Sequence, residues 1–565
     1  MAVLPTDDEP RKTVAPDMRP PDKTPCRPGD SSTRPTSRGP TLLGLGVCAI
    51  VVAGAVRLLV TPLNHDVGVF LYEARASLAG ARLYTDLVEF NPPLAVFLAV
   101  PPAYVAGVLG LPTIAAWNLY AVGLMGLSLL LCWAVLRRAG LLPDATARWT
   151  YLLIAAVCLM MGPGYDFGQR DHLMLAMFLP YALVAAARAE ARRVPLWLAV
   201  TIGLFGGVGL ALKPFFFLVW LVVEGYLAAQ RKGWFWRRPE ALCVLGVHAA
   251  YGAVVLLLTP QYFGVARLAA QVYAAYSPGP LPMLLAFLAG APAAWLGVLA
   301  YGLVRTTAEG RPLRRVLLLL TLGLAVVYFV QNRGFTYHCY PCRAVGSLLL
   351  TAVLLGWTPR AAARAIFRRG AQMAPAILAT LAVVVSAGRL YEGWRDSDWQ
   401  KTSDLGQLCD VVRAEAPHGC ILVLSADVAP AFPMVNYTGA GWASRTACQW
   451  LLPALYRDAP VRPDGTPYRP RAEMDDTEKL AVEWMVEDFA RHRPDVVVVD
   501  AKPKKPFFGQ TSFDYLAYYR RDPRFERLWQ AYSARGSIGV YQVHLRRPEP
   551  PAAFPEPPEP SETRR

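Results

Sequence analysis

Apolar runs of about 20 residues recur along this chain, and that repetition limits its fold more than any other feature. A run of that length crosses a hydrocarbon core of about 30 Å at roughly 1.5 Å per residue. The pattern identifies a polytopic α-helical membrane protein of about 11 transmembrane helices. Candidate spans are 41–61, 113–136, 149–163, 172–187, 194–212, 214–230, 241–259, 282–304, 316–331, 341–357 and 371–388. Residues 1–40 are polar, Pro-rich and mixed in charge, which fits a disordered tail, so 41–61 is expected to be a permanent anchor.

The net charge of +15 would suit nucleic acid if it gathered on one soluble surface. Instead the basic residues recur in short loops between spans. They fall at Arg137/Arg138/Arg148, Arg188/Arg192/Arg193, Arg231/Lys232/Arg237/Arg238, Arg305/Arg311/Arg314/Arg315 and Arg360/Arg364/Arg368/Arg369. These five loops hold 18 Lys and Arg, and the positive-inside rule assigns all five to the cytoplasm. The expected location is the plasma (inner) membrane, with the N-terminus cytoplasmic and the region from about 389 outside. No nucleic-acid partner is expected.

The stretch 92–112 is apolar enough to span, but counting it would move every basic loop outside. It carries Pro92, Pro93, Pro101 and Pro102, a poor sequence for a straight helix. It is expected to be re-entrant or interfacial, within a long outer loop 62–112 that walls a pocket. The transmembrane domain is thus 41–388. Residues 389–545 read as an extracytoplasmic α/β domain. Its expected strands are Cys420–Ser425 and Asp495–Asp500, with a helix at 477–492 and a hairpin of 525–532 with 537–544 around Ala-Arg-Gly. A Pro/Glu-rich tail, 546–565, is expected to be disordered.

This topology sends the unusual polar motifs to one face. His65, Asp66, Tyr84, Asp86, Glu89 and Asn91 lie on the first outer loop. Asp166, Gln169, Arg170 and Asp171 lie on the second, Lys213 at the next outer turn, and Gln331, Arg333, Tyr337 and His338 on a later loop. An ammonium within apolar sequence costs roughly 2.5–3.5 kcal/mol on insertion scales, so Lys213 is a functional candidate as well as a snorkelling one. With Arg170 and Arg333 it would hold a lipid phosphate or diphosphate. Asp66 is either a base or the N-cap of a helix beginning near Gly68. Asp166 and Asp171 are either functional or paired structurally with Arg170.

No cofactor is expected. His65, His172 and His338 could join carboxylates around a divalent metal, but they lack tight ligand spacing, and no metal ligand is assigned. Cys339 and Cys342 have redox spacing without a thioredoxin-like setting, which favours packing. Cys409 and Cys420 could close a loop outside the cell.

The chain resembles the GT-C membrane glycosyltransferases, the superfamily of protein O-mannosyltransferases and lipid A aminoarabinose transferases. The resemblance is carried by Asp66 after the first span, Gly80-Ala-Arg-Leu-Tyr84-Thr-Asp86, Asn91-Pro92-Pro93-Leu94, the cluster Asp166 to Asp171, and Gln331 to His338. It covers about 41–390, and many members also carry an outer C-terminal domain. Many have Asp-Glu in the first loop, where here Val67 follows Asp66. The resemblance implies that Asp66 is the catalytic base, that Asp166 or Asp171 positions the acceptor, and that a polyprenyl-phosphate sugar is the donor, with net inversion. Asp86 and Glu89 join the expected acceptor-positioning set. Arg170, Lys213, Arg333 and His338 form the donor-phosphate set, with His65, Tyr84, Asn91, Gln169, Gln331 and Tyr337 in the pocket.

The expected function is therefore inverting sugar transfer to a glycan, lipid or protein hydroxyl at the outer face. The alternatives are a transporter or flippase of lipid-linked or anionic cargo, and an assembly protein whose outer domain binds envelope polymers. The polar groups gather at one face and no inverted repeat is visible, which disfavours alternating access.

Overall fold

A computed structural model of the protein describes residues 38–230, 235–359 and 365–547. Nearly all of the expected tails 1–40 and 546–565 lies outside the described residues, as do Arg231, Lys232, Arg360 and Arg364. The first helix, α1 (Arg38–Arg57), is followed by α2 (His65–Leu78), α3 (Leu94–Leu109), α4 (Thr113–Ala139), α5 (Ala145–Met160) and α6 (Arg170–Ala189). Next come α7 (Leu196–Ala211), α8 (Phe217–Ala229), α9 (Pro239–Leu258), α10 (Tyr262–Val272), α11 (Pro280–Gly290) and α12 (Pro292–Leu303). The bundle closes with α13 (Arg311–Gln331), α14 (Thr336–Leu355) and α15 (Ala365–Arg395).

Among the described residues seven helices are long and apolar enough to cross a membrane, and a bent pair would make an eighth. Shorter apolar helices, including α3, α5, α7 and α12, accompany them. Helix α6 is the axis of the bundle. Its residues from Arg170 to Ala187 are buried on every side, packed by α4, α7, α13 and α14. Small residues set the close approaches, as expected where lipid cannot drive helices together by hydrophobicity. A Cβ on Gly346 of α14 would stand 2.4 Å from the Ala294 backbone of α12.

One expected span is corrected. The span 282–304 is two helices, broken at Ala291 (φ −129°, ψ 49°). Pro292 opens α12, and a proline disfavours helical backbone in the residue before it. Residues 262–276 and 280–290 meet at 85°. Conversely, 94–109 is helical throughout despite Pro101 and Pro102. Ala95, Ala99, Pro102, Ala103 and Ala106 bury one face of it, and it packs on α2 and α4.

The C-terminal region carries a five-stranded sheet in the order β2–β1–β3–β5–β4: β1 Cys420–Leu424, β2 Gly441–Trp442, β3 Val496–Asp500, β4 Tyr532–Ile538 and β5 Tyr541–Arg546. β1 runs parallel to β2 and β3, with Leu422 opposite Val497, while β5 is antiparallel to β3 and β4. β3 is buried at all five positions, as a central strand covered on both faces should be. The expected helix is present as Asp476–His492. The expected hairpin is shifted. Residues 525–532 are largely the helix Pro523–Trp529, because Asp522 caps it by accepting from the Arg524 N–H and Pro523 occupies its first position. The hairpin instead turns at Gly539, and Ala534 to Gly536 form a bulge within β4. Cys409 and Cys420 are both free thiols, as are Cys339 and Cys342 in the bundle.

This domain sits on the first loop. The Asn436 side chain donates to the Gly68 carbonyl (3.0 Å), Tyr437 Oη accepts from the Leu63 N–H (2.8 Å), and the Val88 N–H donates to the Arg445 carbonyl (2.6 Å). Gly68 permits this docking, since a Cβ there would lie 2.8 Å from Asn436 Oδ1.

Candidate active site

Asp66 stands in the first turn of α2 but does not cap it. Asn64 is the N-cap, its side-chain oxygen accepting from the Asp66 N–H (3.0 Å) and the Val67 N–H (3.4 Å). The Asp66 carboxylate is thereby left for other work. Its Oδ2 accepts from Gln169 Nε2 at 2.6 Å, and its Oδ1 lies 3.6 Å from His65 Nε2. Tyr165 Oη accepts from the His65 N–H and lies 3.1 Å from His65 Nδ1.

The second loop supplies the next layer. Gln169 ends it, fully buried, and Arg170 and Asp171 begin α6. Lys213, in the turn after α7, is ion-paired with Asp171 and also donates to Gln331 Oε1 (3.2 Å) at the end of α13. Its ammonium lies 5.1 Å from the Tyr337 ring centre. Arg170 Cζ lies 5.3 Å from the Phe70 ring centre and within electrostatic reach of Asp66, Glu89 and Asp171. His338, buried in the first turn of α14, is within reach of the charges of Lys213, Arg170 and Arg333 together.

The three cations are not equivalent. Lys213 already has a carboxylate, and Arg333 donates to the Tyr273 carbonyl while stacking 4.4 Å over that ring. Arg170 Nε and Nη1 are buried with no hydrogen-bond partner among the described residues. Gln169 Oε1, Asp171 Oδ1, Gln331 Nε2 and His338 Nδ1 are in the same condition. Buried polar atoms are rarely left unpaired, so this concentration marks a place built for a polar ligand.

Asp166 sits beside this centre, accepting from Asn64 Nδ2 (3.3 Å). Burial, then the Asp66 and Asp171 charges, push its carboxyl up from 3.8 to about 6, with His65 acting the other way. A raised carboxyl pKa means the folded state binds the proton more tightly. The stability contribution is therefore full below 3.8 and lost as pH rises to about 6. Asp166→Asn is expected to flatten the stability profile across that window, read by thermal melts from about pH 3.5 to 7.

Two expected site residues on the first loop part company. Glu89 is buried, with Oε1 accepting from the Asn91 N–H (2.9 Å) and side chain, and its charge reaches Arg170. Asp86 is instead a half-buried turn residue paired with Arg82 (3.3 Å). Spacing of four in a tight turn makes that local pairing cheap. Tyr84 holds the turn together, donating to the Asn91 carbonyl (2.6 Å) from a left-handed backbone (φ 65°). Glu73, Tyr165 and Asn64 were not singled out by sequence. Burial and the adjacent Glu89 push the Glu73 carboxyl well above the usual range. Among the described residues no group of three or more His, Cys, Asp or Glu side chains is placed to hold a metal.

The Asp171–Lys213 pair is buried, so removing one partner strands the other. Lys213→Met is expected to cost about 3–5 kcal/mol, seen as loss of monodisperse protein and a lower melting temperature, and Asp171→Asn/Lys213→Met to recover most of it.

Fold and pocket together define a multi-pass helical membrane protein with a buried polar centre. The solved structures that share this fold include ArnT from Cupriavidus metallidurans bound to undecaprenyl phosphate, at TM-score 0.51 and 15% identity over 89% of this chain and 98% of that one. The same protein in the apo state aligns at TM-score 0.53 and 14% identity, over 90% and 98%. The arabinofuranosyltransferase AftD from mycobacteria aligns at TM-score 0.40 and 12% identity, over 90% of this chain and 40% of that one. No protein-family model and no curated protein matches the sequence.

Proposed function

We propose that this chain is an inverting glycosyltransferase that moves a sugar from a polyprenyl-phosphate donor to an acceptor hydroxyl. The observation that carries this is Arg170, a buried guanidinium with unpaired N–H groups, set within electrostatic reach of the Asp66 carboxylate. ArnT, which shares the fold, was crystallised with undecaprenyl phosphate. The donor phosphate would lie against Arg170, with Lys213, His338 and Arg333 completing a positive wall. Asp66 takes the proton of the acceptor hydroxyl as its oxygen bonds to the anomeric carbon. The bond from that carbon to the phosphate oxygen breaks with its electron pair, and the polyprenyl phosphate departs as an anion. Gln169 holds Asp66 by one oxygen, leaving the other for the proton.

The outer-face assignment rests on charge. Arg188, paired with Glu240, stands in the last turn of the α6 that Arg170 begins, so this basic loop end and the Asp66–Gln169 contact lie at opposite ends of one helix, which supports the assignment. Mass spectrometry of lipid co-purifying with the full chain tests the donor class. A polyprenyl phosphate should be retained by the wild type, and its absence from saturating reconstitution would remove the donor assignment.

A further inference from the structure

Two guanidiniums that the proposed chemistry does not use converge on the segment between α5 and α6. Arg57, in the last turn of α1, donates from Nη1 to the Gly164 carbonyl (3.4 Å). Arg389 of α15 reaches the same residue, since a Cβ on Gly164 would stand 3.9 Å from its Nη1. Gly393, one turn further along α15, lets the helix close on Arg57, because a Cβ there would lie 3.2 Å from Arg57 Cγ. Arg57 is only 7% exposed, and its Nε has no hydrogen-bond partner among the described residues. A snorkelling arginine carries its head to water, and this one does not.

The neighbouring carboxylates leave a surplus of positive charge. Glu392 pairs with Arg389 (2.7 Å) and Asp396 with Arg395 (2.8 Å). Both are within electrostatic reach of Arg57, but neither makes an ion pair with it. The surroundings set the depth of the site in a bilayer. Tyr391 and Trp394 of α15 are 61% and 70% exposed beside it, as rings of an interfacial aromatic belt are. Toward the apolar middle of the same two helices, Val52, Val56, Val384 and Val385 face outward.

We propose that Arg57 and Arg389 form a site for the phosphate of an anionic phospholipid, seated at the edge of the bundle between α1 and α15. The unpaired Arg57 Nε would donate to a phosphate oxygen, and the acyl chains would run along the exposed valines. A zwitterionic headgroup would bring its own ammonium against two guanidiniums and is disfavoured. The site is independent of the glycosyl-transfer reading, and Arg170, Lys213, Arg333 and His338 take no part in it. It bears on the polar centre through the segment it braces. The residues that follow Gly164 are Tyr165, which accepts from the His65 N–H, and Asp166, which accepts from Asn64.

The test locates the lipid. The full chain in phosphatidylcholine nanodiscs would be irradiated with a minor fraction of a phosphatidylglycerol carrying a diazirine near its acyl carbonyl, and adducts mapped by peptide mass spectrometry. The expected result is a maximum of adducts in 50–61 and 384–395, reduced about fivefold or more by Arg57→Gln and by Arg389→Gln. Glu392→Gln should raise it, because a competing carboxylate is removed. The Arg389 and Glu392 side chains are about half-exposed, so these two variants keep the test even where Arg57→Gln lowers stability. Phosphatidylcholine with the same diazirine should label this region no more than other lipid-facing helices. Phosphatidylglycerol adducts that none of the variants moves, or equal labelling by both lipids, would overturn the proposal. Loss of the adducts in millimolar inorganic phosphate at constant ionic strength would assign the site to a free anion and overturn the lipid.

Discussion

Asp66→Asn is expected to reduce sugar transfer about 10³-fold, within the range of about 10²–10⁴ for a positioned general base. The substitution keeps shape and keeps an acceptor oxygen for Gln169 Nε2, and the helix start is unaffected because Asn64 supplies the cap. Melting temperature and undecaprenyl phosphate binding should therefore hold while turnover is lost. That separation distinguishes a base from a structural acid. Restored transfer at high pH with an acceptor of lower pKa would support the same assignment, since less proton abstraction is then needed.

The second large effect falls on Arg170. Charge-assisted hydrogen bonds contribute about 1.5–3 kcal/mol each, so Arg170→Met should weaken undecaprenyl phosphate binding by about 10–100-fold. The apo protein should lose some stability as well, because the Asp66, Glu89 and Asp171 carboxylates lose the cation within their electrostatic reach, so binding is compared on the monodisperse fraction. Arg333→Gln should do less, since that side chain is already committed to the Tyr273 carbonyl and ring. Titrations of each variant by native mass spectrometry would rank the three cations. An Arg170 variant that binds like the wild type would move the phosphate elsewhere.

Much of this centre was legible because lipid makes polarity expensive. Lys213, Asp171 and Gln331 stand out at the ends of apolar runs, and the alternation of basic loops assigns them to one face. Their pairing was not legible, because it depends on which helix ends meet across the bundle. The pairing of Asp86 with Arg82 was not legible either, because an acid near the membrane looks the same whether it faces a pocket or a local arginine. Glu73 escaped notice for the opposite reason, as an ordinary polar position on a helix whose buried face only tertiary packing defines. In the C-terminal region, alternation around Phe525 suggested a strand, and Asp522-Pro523 was the overlooked helix start. The break at Ala291 could have been read from Pro292, but the apolar run on both sides concealed it.

The most direct measurement follows one donor molecule to its fate. The full chain in sealed vesicles would be given undecaprenyl phosphate carrying a radiolabelled sugar of defined anomeric configuration, with a mixed extract of envelope glycans, lipids and proteins as acceptor. The expected result is consumption of the donor, free undecaprenyl phosphate, and a product of inverted configuration, all lost in Asp66→Asn. Donor that crosses the bilayer intact, or stays intact in the wild type while bound, would contradict glycosyl transfer.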